Sequence, residues 1–524
     1  MKIKNRALRR ILWSLSVIIV VVIILGIWVR CRVRDPFPDY KQDITIRGNP
    51  PGSISVGFSA ISITPELEDT WTDVNGDHQF TPNEGDTWED GNSNGKFDAY
   101  WLAGFQHKRA AREIHDDLWA RAMVVDDGSS RIAMVVVDGV GLFHEDVIRI
   151  RKKIAGEASV DYTAVSATHT HSAPDLLGLW GKSRLKSGVN EDYKSQVLEK
   201  TAQAVIQADN TLRPARLVFA INERDAASMV KDTRPPEVKD DALKIMQAVD
   251  SRKDSTLGTL VVWGNHPETT WNKHLQISSD FPHYLRQYLE GGIRHKDSLV
   301  FQGFGGTSMF IPGAIGGLMS TTPEITVEDP VTGSSFKKPS FEKADAQGKQ
   351  LAMLVEKTLK TSADTVQKAS LNLRAKTFRL PMENRLFKLA SILGIIKQGF
   401  NGWGMHRTEM AGFTIGNACF LTIPGEIYPE IVYGGIEAPE GQDFSVDPVE
   451  VPPLQAAMPG DYHFFMGLTN DEMGYIIPKS QWDEKKPYLY GEESGHYGES
   501  NSLGPETGVI IHRMAMDILS GLKQ

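Results

Sequence analysis

The residues able to do chemistry in this chain follow apolar runs of strand length. "SATHTHSAP" (166–174) places His169 and His171 one residue apart, in a chain with only 14 histidines among 524 residues. His266 stands in "WGNHPET", Glu426 in "IPGEIYPE", and Asp471, Glu472 and Tyr475 in "GLTNDEMGYIIP". Imidazole nitrogens, carboxylates and a phenol oxygen are metal-ligating atoms, and two histidines, a glutamate and an open position make a catalytic zinc set. Each element has a plainer reading when taken alone: a satisfied loop histidine, a glutamate capping the helix that begins at "IYPEIV", a tyrosine packed in the core. The metal reading rests on their conjunction. Of the two imidazoles in H-T-H, one could bind a metal while the other faces the substrate.

The elements that must position these residues are strands. "RIAMVVVDGVG" (131–141), "YTAVSA" (162–167), "TLGTLVVWG" (256–264), "SLVFQG" (298–303), "ACFLTIPG" (418–425) and "YHFFMGL" (462–468) are nearly continuous apolar runs, as expected of strands buried on both faces. Helical patterns alternate with them, among them "EDVIRIRKKIAGEA" and "KADAQGKQLAMLVEKTLKTS". The alternation predicts an α/β fold: one large catalytic domain, with a mostly parallel or mixed sheet flanked by helices. The candidates follow the C-terminal ends of four strands, where open α/β sheets bind ligands.

Composition is that of a globular protein, 41% hydrophobic and 23% charged, and the net charge of −9 gives no footing for nucleic acid. Two distant cysteines, Cys31 and Cys419, exclude a disulfide framework and a cysteine-rich zinc module. The N-terminus reads as a retained membrane anchor. Five basic residues lie in 1–10, then 19 residues (11–29) carry no charge, enough to span a bilayer core as a helix. The run ends "WVRCRVRD", with arginines where a signal peptidase would need small residues. The charge balance puts residues 1–10 in the cytoplasm and the body outside it. A proline-rich linker is expected over 30–53 and the catalytic domain over 54–524.

Residues 69–101 form an acidic insert. Asp73, Asn75, Asp77, Gln79, Thr81 and Glu84 fall at positions 1, 3, 5, 7, 9 and 12 of a calcium loop, with His78 where glycine is usual at position 6. Asp90, Asn92, Asn94 and Asp98 fall at 1, 3, 5 and 9 of a second loop, with Gly95 at 6 and no glutamate at 12. Oxygen ligands at alternating positions suit structural Ca²⁺; a solvated acidic loop is the alternative. A further stretch, "LFKLASILGIIKQGF" (386–400), reads as a core helix or as a lid that meets a membrane.

Taken in order, "VGFSAISITP", "SATHTHSAPD", "WGNHPET", "IPGEIYPEI", "GLTNDEMGYIIP" and "ESNSLGPET" resemble the neutral/alkaline non-lysosomal ceramidase family over roughly residues 54–522. The resemblance is to the catalytic domain, without the family's C-terminal immunoglobulin-like domain. It implies a zinc amidase, with His169, His266, Glu426 and Tyr475 as ligands and His171 acting beside the metal in acid–base chemistry. It also implies an arginine near the site, Arg224 in "INERD" or else Arg234 in "KDTRPP". The family's "GDVSP"-like loop aligns with "GFGGTSMFIPG", which puts Thr307 and Met309 at its Asp and Ser and leaves Ser308 one step out of register. The expected function is a membrane-anchored zinc hydrolase acting on the amide of ceramide or a related acyl amide. The alternatives are an esterase or amidase for a non-lipid envelope substrate, and a catalytically idle surface protein that binds calcium and lipid.

Overall fold

A computed structural model describes residues 6–48, 50–495 and 497–523; Met1–Asn5 of the basic segment, Asn49 of the expected linker and the final Gln524 lie outside the described residues. The main elements in chain order are α1 (Arg6–Arg32), β1 (Asp43–Arg47), β2 (Ser55–Ser62), β3 (Trp119–Asp126), β4 (Arg131–Val137), α2 (His144–Ile154), β5 (Tyr162–Ala167), α3 (Glu191–Asn210), β6 (Arg213–Asn222), β7 (Leu243–Asp250), β8 (Thr256–Trp263), α4 (Phe281–Gly291), β9 (Thr307–Pro312), α5 (Phe341–Thr361), β10 (Leu371–Pro381), α6 (Arg385–Leu393), β11 (Met405–Ile415), β12 (Ala418–Thr422), β13 (Tyr462–Met466) and α7 (Thr507–Lys523). The strands form two sheets. The larger has the order β9-β8-β7-β6-β2-β3-β4-β5, with Asp364–Val366 as a ninth strand on β6. The smaller runs β1-β10-β11-β12-β13.

The sheets share one apolar core, in which Met123, Met134, Phe219 and Met309 of the larger meet Phe413, Phe420 and Phe464 of the smaller. Helices cover the outer faces: α2 and α3 on β3–β5, α4 and α5 on β7–β9, and α7 on the smaller sheet. This four-layer arrangement explains the continuous apolar runs, because strands between a sheet and a helix layer are buried on both faces. The sheets are mixed, as expected, and most neighbouring strands are antiparallel. Parallel pairing occurs in only three strand pairs of the two sheets: β4–β5, β8–β9 and β12–β13.

Two expectations are corrected. "SLVFQG" is not a sheet strand: Ser298–Phe301 pairs only with Ile293–His295 in a hairpin and is exposed over its first three residues. The sheet strand is the next apolar stretch, β9, held parallel to β8. The expected linker is also largely packed. Phe400 N–H donates to Val33 O at 2.6 Å, Asp35 is buried against Arg407 at 2.8 Å and accepts from Asn401 at 2.6 Å, and β1 is an edge strand of the smaller sheet. Prolines 36 and 38 shape this clamp rather than loosening a tether.

The two sheets are also joined by a buried ion pair. Arg151 of α2 makes two bonds to Glu409 of β11, at 2.9 and 2.8 Å, and Tyr162 of β5 donates to the same carboxylate at 2.8 Å. Burial pushes the Glu409 pKa up, but Arg151 outweighs it and holds the carboxyl below its ordinary value of 4.5. The pair therefore stabilises fully above that value and is lost as pH falls through the lower folded value. Glu409→Ala leaves Arg151 buried without its partner and is expected to cost about 3–5 kcal/mol at pH 7. Urea titrations should show the gap between wild type and variant narrowing below pH 4.5.

Candidate metal centre

The three parallel pairs share a property that antiparallel pairs lack: both strands of each pair end on the same side. His169 follows β5, His266 follows β8, Glu426 follows β12 and Tyr475 lies on the segment after β13. Glu426–Ile427 and Tyr475–Ile476 pair with each other in parallel, so Glu426 stands opposite Tyr475. His169 has φ +66°, left-handed backbone that costs a non-glycine residue about 1–3 kcal/mol. The turn is held by Thr168 N–H on Val137 O and His169 N–H on Gly139 O, both 2.9 Å. The left-handed residue takes the chain out of the extended conformation at the first histidine, and the two rings meet edge-on, 4.9 Å between centroids.

His169, His171 and His266 bring ligand atoms within 4.8 Å of one another, all buried. His169 Nδ1 lies 2.6 Å from Val140 O and His266 Nδ1 lies 2.6 Å from Met319 O. Each Nδ1–H is thereby committed to a carbonyl, and Nε2 is the atom presented to the centre. Glu426 Oε2 is 2.9 Å from His266 Nε2 and 3.7 Å from His169 Nε2, and the Tyr475 hydroxyl donates to the same carboxylate. Burial lowers the His169 pKa to about 3, which keeps it a neutral ligand. Burial opposes ionisation of Glu426, but His169, His266 and Tyr475 prevail and hold its pKa down. Donors on a tetrahedral zinc at about 2.0–2.1 Å stand roughly 3.3 Å apart, and the two Glu426 distances bracket that value. The donor set fits a small divalent ion.

The chain matches no protein-family model. It is 23% identical over 204 residues to the neutral ceramidase of Pseudomonas aeruginosa, an alignment covering 36% of this chain and 30% of that protein. A 72-residue stretch, 13% of this chain, is 39% identical to the neutral ceramidase of Drosophila melanogaster, 10% of whose length it covers. The aligned regions thus span less than a third of these relatives. The crystal structure of the Pseudomonas aeruginosa neutral ceramidase superposes with a TM-score of 0.62 at 15% identity, over 90% of this chain and 74% of that one. A ceramidase complexed with C2 superposes at 0.60, also at 15% identity, over 90% and 75%. The chain has the neutral ceramidase fold.

On this ceramidase fold the four expected ligands and His171 meet, but two other expected residues do not. Arg224 is exposed on the turn after β6 and lines no part of the cavity described below. Arg234 is the buried arginine, bonded to both Glu499 oxygens, the Tyr428 hydroxyl at 3.0 Å and Gln481 O. Tyr428 in turn packs edge-on against Tyr475, so Arg234 braces the ligand tyrosine from behind. Ser308 lies inside β9, opposite Thr259, with Met309, Phe310, Ile311 and Pro312 between it and the strand's C-terminal end. The loop of the ceramidase fold that reaches the centre here begins at Gly313, and its cavity-facing residues are Leu318, Ser320 and Thr322. The alignment through "GFGGTSM" was displaced because "SLVF" took the place of the sheet strand.

Two contributors, Glu268 and Gly104, were missed in the sequence, while Glu472, singled out there, takes a place in the cavity wall. Glu268, two residues after His266, lies 3.0 Å from His171 Nδ1, and Ser320 lies beside it. Glu472 lines the cavity, where burial and the charges of Glu426 and Asp471 push its pKa well above the carboxylate range. Gly104 has φ +95°, and a Cβ there would lie 2.2 Å from the His171 ring. "WGNHPET" held Glu268 in plain view; Gly104 gave no signal, because its contact spans 67 residues of sequence.

A cavity of about 490 Å³ opens from the centre. Its walls are largely apolar, with Phe105, Phe143, Leu177, Trp180, Trp271 and Phe387 among them. Purified protein is expected to hold about one divalent metal ion per chain, measured by plasma mass spectrometry. His266→Ala and Glu426→Ala should each empty the site, while His171→Ala and Ser308→Ala should leave it filled.

Proposed function

We propose that this protein is a zinc-dependent hydrolase cleaving the amide of an N-acylated lipid of the ceramide type. The observation that carries the reading is the cavity: a deep apolar channel that ends on imidazoles and carboxylates. Such a shape takes an acyl chain along its walls and stops the polar amide at the centre. The likeness to neutral ceramidases supports the same substrate class. His169, His266, Glu426 and Tyr475 hold the ion, which when bound polarises the scissile carbonyl and makes water acidic near neutral pH.

The chain's own groups do the rest. Glu268 beside His171 Nδ1 orients the ring, so that His171 Nε2 takes a proton from the attacking water and passes it to the leaving amine. Arg109 bonds the backbone carbonyls of Ala103 and His171, at 3.1 and 3.2 Å, and locks that ring against the Gly104 wall. Apolar walls exclude water from the channel. His171→Ala is expected to lower turnover of a fluorogenic acyl amide by roughly 10²–10⁴. Ser308→Ala should stay within tenfold of wild type, since that serine is remote from the cavity. Gly104→Ala and Gly128→Ala carry the same left-handed strain, at φ +95° and +87°, but only the first meets the His171 ring. Equal activity in those two variants would remove His171 from the reaction.

Calcium is proposed for the insert. "DTWTDVNGDHQF" (69–80) and "DTWEDGNSNGKF" (86–97) are tandem copies offset by 17 residues. The two loops have matching backbones: position 4 is left-handed at Gly76 and Ser93, and position 6 at His78 and Gly95. His78 thus takes the conformation for which glycine is usual. The copies also brace each other, Asp86 accepting from Val74 and Thr81 N–H and Asp69 from Gly91 and Asp98 N–H. Against a tight site, their carboxylates do not gather as the imidazoles do; among the described residues the latter form the one three-ligand group. The insert packs on the 101–110 segment that carries Gly104, Trp71 donating to Ala110 O at 3.1 Å. Calcium removal is expected to lower the melting temperature without stripping zinc, and Asp73→Ala or Asp90→Ala should abolish the difference. An identical Tm with and without calcium would leave the insert as a solvated loop.

A further inference from the structure

The apolar stretch 386–400 has residues on two opposed faces. α6 turns Phe387 into the cavity wall, and Ile396 follows it there. On its other side Leu386, Leu389 and Leu393, spaced one helical turn apart, are 67%, 50% and 46% exposed. Trp403, on the turn that follows, is 73% exposed. Nothing in the chain covers this face among the described residues. The stripe is carried by the same helix that puts Phe387 into the cavity wall, and Trp is a residue type enriched at the boundary of a bilayer.

The N-terminal helix fixes what the stripe meets. The uncharged run of α1 ends at Val29, and the helix continues without a break to Arg32. Arg30 and Arg32 are charges that a spanning helix places at the headgroup level. Arg32 lies against Gly394, the left-handed cap of α6, so closely that a Cβ on that glycine would collide with its guanidinium. One residue later Val33 is buried, accepting from Phe400, and Asp35 is clamped by Arg407 and Asn401. There is no slack between the span and the domain. The end of α6 therefore sits at the depth where the span leaves the hydrocarbon.

We propose that Leu386, Leu389, Leu393 and Trp403 form a docking surface that beds into the membrane spanned by the protein's own helix, so that the cavity mouth opens onto lipid of that same leaflet. This rests on α1 being a retained anchor and on the acyl-amide reading of the centre. Its consequence is that an acyl lipid passes from the bilayer into the cavity along Phe387 without crossing water.

The test uses the full chain in phosphatidylcholine vesicles. On a Cys31→Ser background, with Cys419 buried, a spin label at Leu389→Cys is compared with one at Leu299→Cys, on the hairpin preceding β9 and so at the end of that strand away from the centre. The label at 389 should be more accessible to oxygen than to a water-soluble nickel complex, and the label at 299 the reverse. Equal nickel access at the two positions would overturn the docking whatever the substrate is. Leu386→Glu/Leu389→Glu/Leu393→Glu should lower turnover of a long-chain N-acylsphingosine in the vesicles at least tenfold, while a soluble short-chain acyl amide changes less than twofold. Undiminished long-chain turnover would also overturn it. Wild-type protein inert toward both amides, with the label at 389 still oxygen-exposed, would refute the substrate reading and leave the docking standing. Release of the full chain, α1 included, from the membrane by alkaline carbonate would refute the anchor and the docking with it.

Discussion

The site depends on one crossing of the chain, the segment 467–470 that follows β13. It leaves the smaller sheet and hydrogen-bonds both outer strands of the larger one. Gly467 N–H donates to Pro312 O at 2.8 Å, at the end of β9, and Asn470 N–H donates to Val165 O at 2.7 Å, on β5. Ala167 N–H returns a bond to Leu468 O, and the hydroxyls of Ser166 and Thr469 meet at 2.7 Å. The crossing is strained: Leu468 and Asn470 have φ of +45° and +71°. Its cost is offset by side chains that admit one arrangement. Asn470 Oδ1 accepts from Arg151 and Val165, and its amide donates to the Tyr162 hydroxyl.

This seam explains why parallel pairing matters in a mostly antiparallel fold. Each parallel pair sends two strand ends to one side, and the crossing draws the three pairs together there. His169 and His266 come from the larger sheet, Glu426 and Tyr475 from the smaller. Neither sheet supplies all four of these side chains. The Arg151–Glu409 pair thus has a role beyond stability, because it fixes the register of the sheets through the same asparagine that pins the crossing.

Behind the centre the fold is arranged as supports for single side chains. Arg234 and Glu499 hold Tyr428, which packs on Tyr475. The carbonyls of Val140 and Met319 orient the two ligand imidazoles. The acidic insert braces the 101–110 wall, and that wall presses Gly104 against His171. The 33–35 clamp and α6 extend the same logic, joining the N-terminal helix to the wall of the cavity through Arg32, Val33 and Phe387.

Much of this was present in the sequence. Apolar runs of strand length marked five of the strands and gave the α/β class, because burial on both faces leaves a continuous pattern. Ligand residues directly after those runs were legible because the chemistry of a metal centre restricts residue type, and the order of motifs pointed to the ceramidase resemblance. What the sequence could not decide was direction and partnership. The edge-on contact of His169 with His171 depends on a left-handed residue at 169, which the pattern of residue types does not reveal. Ser308 and Arg224 were assigned from neighbouring motifs, but a strand shifted by nine residues, from Ser298–Phe301 to Thr307–Pro312, carried the first to the wrong end of the sheet. The packing of Arg32 on Gly394 and the closure of Gly104 on His171 join residues hundreds or tens of positions apart. Such contacts are set by how layers stack and chains cross, and only the tertiary structure decides them, because the physical forces involved act across space without regard to sequence separation.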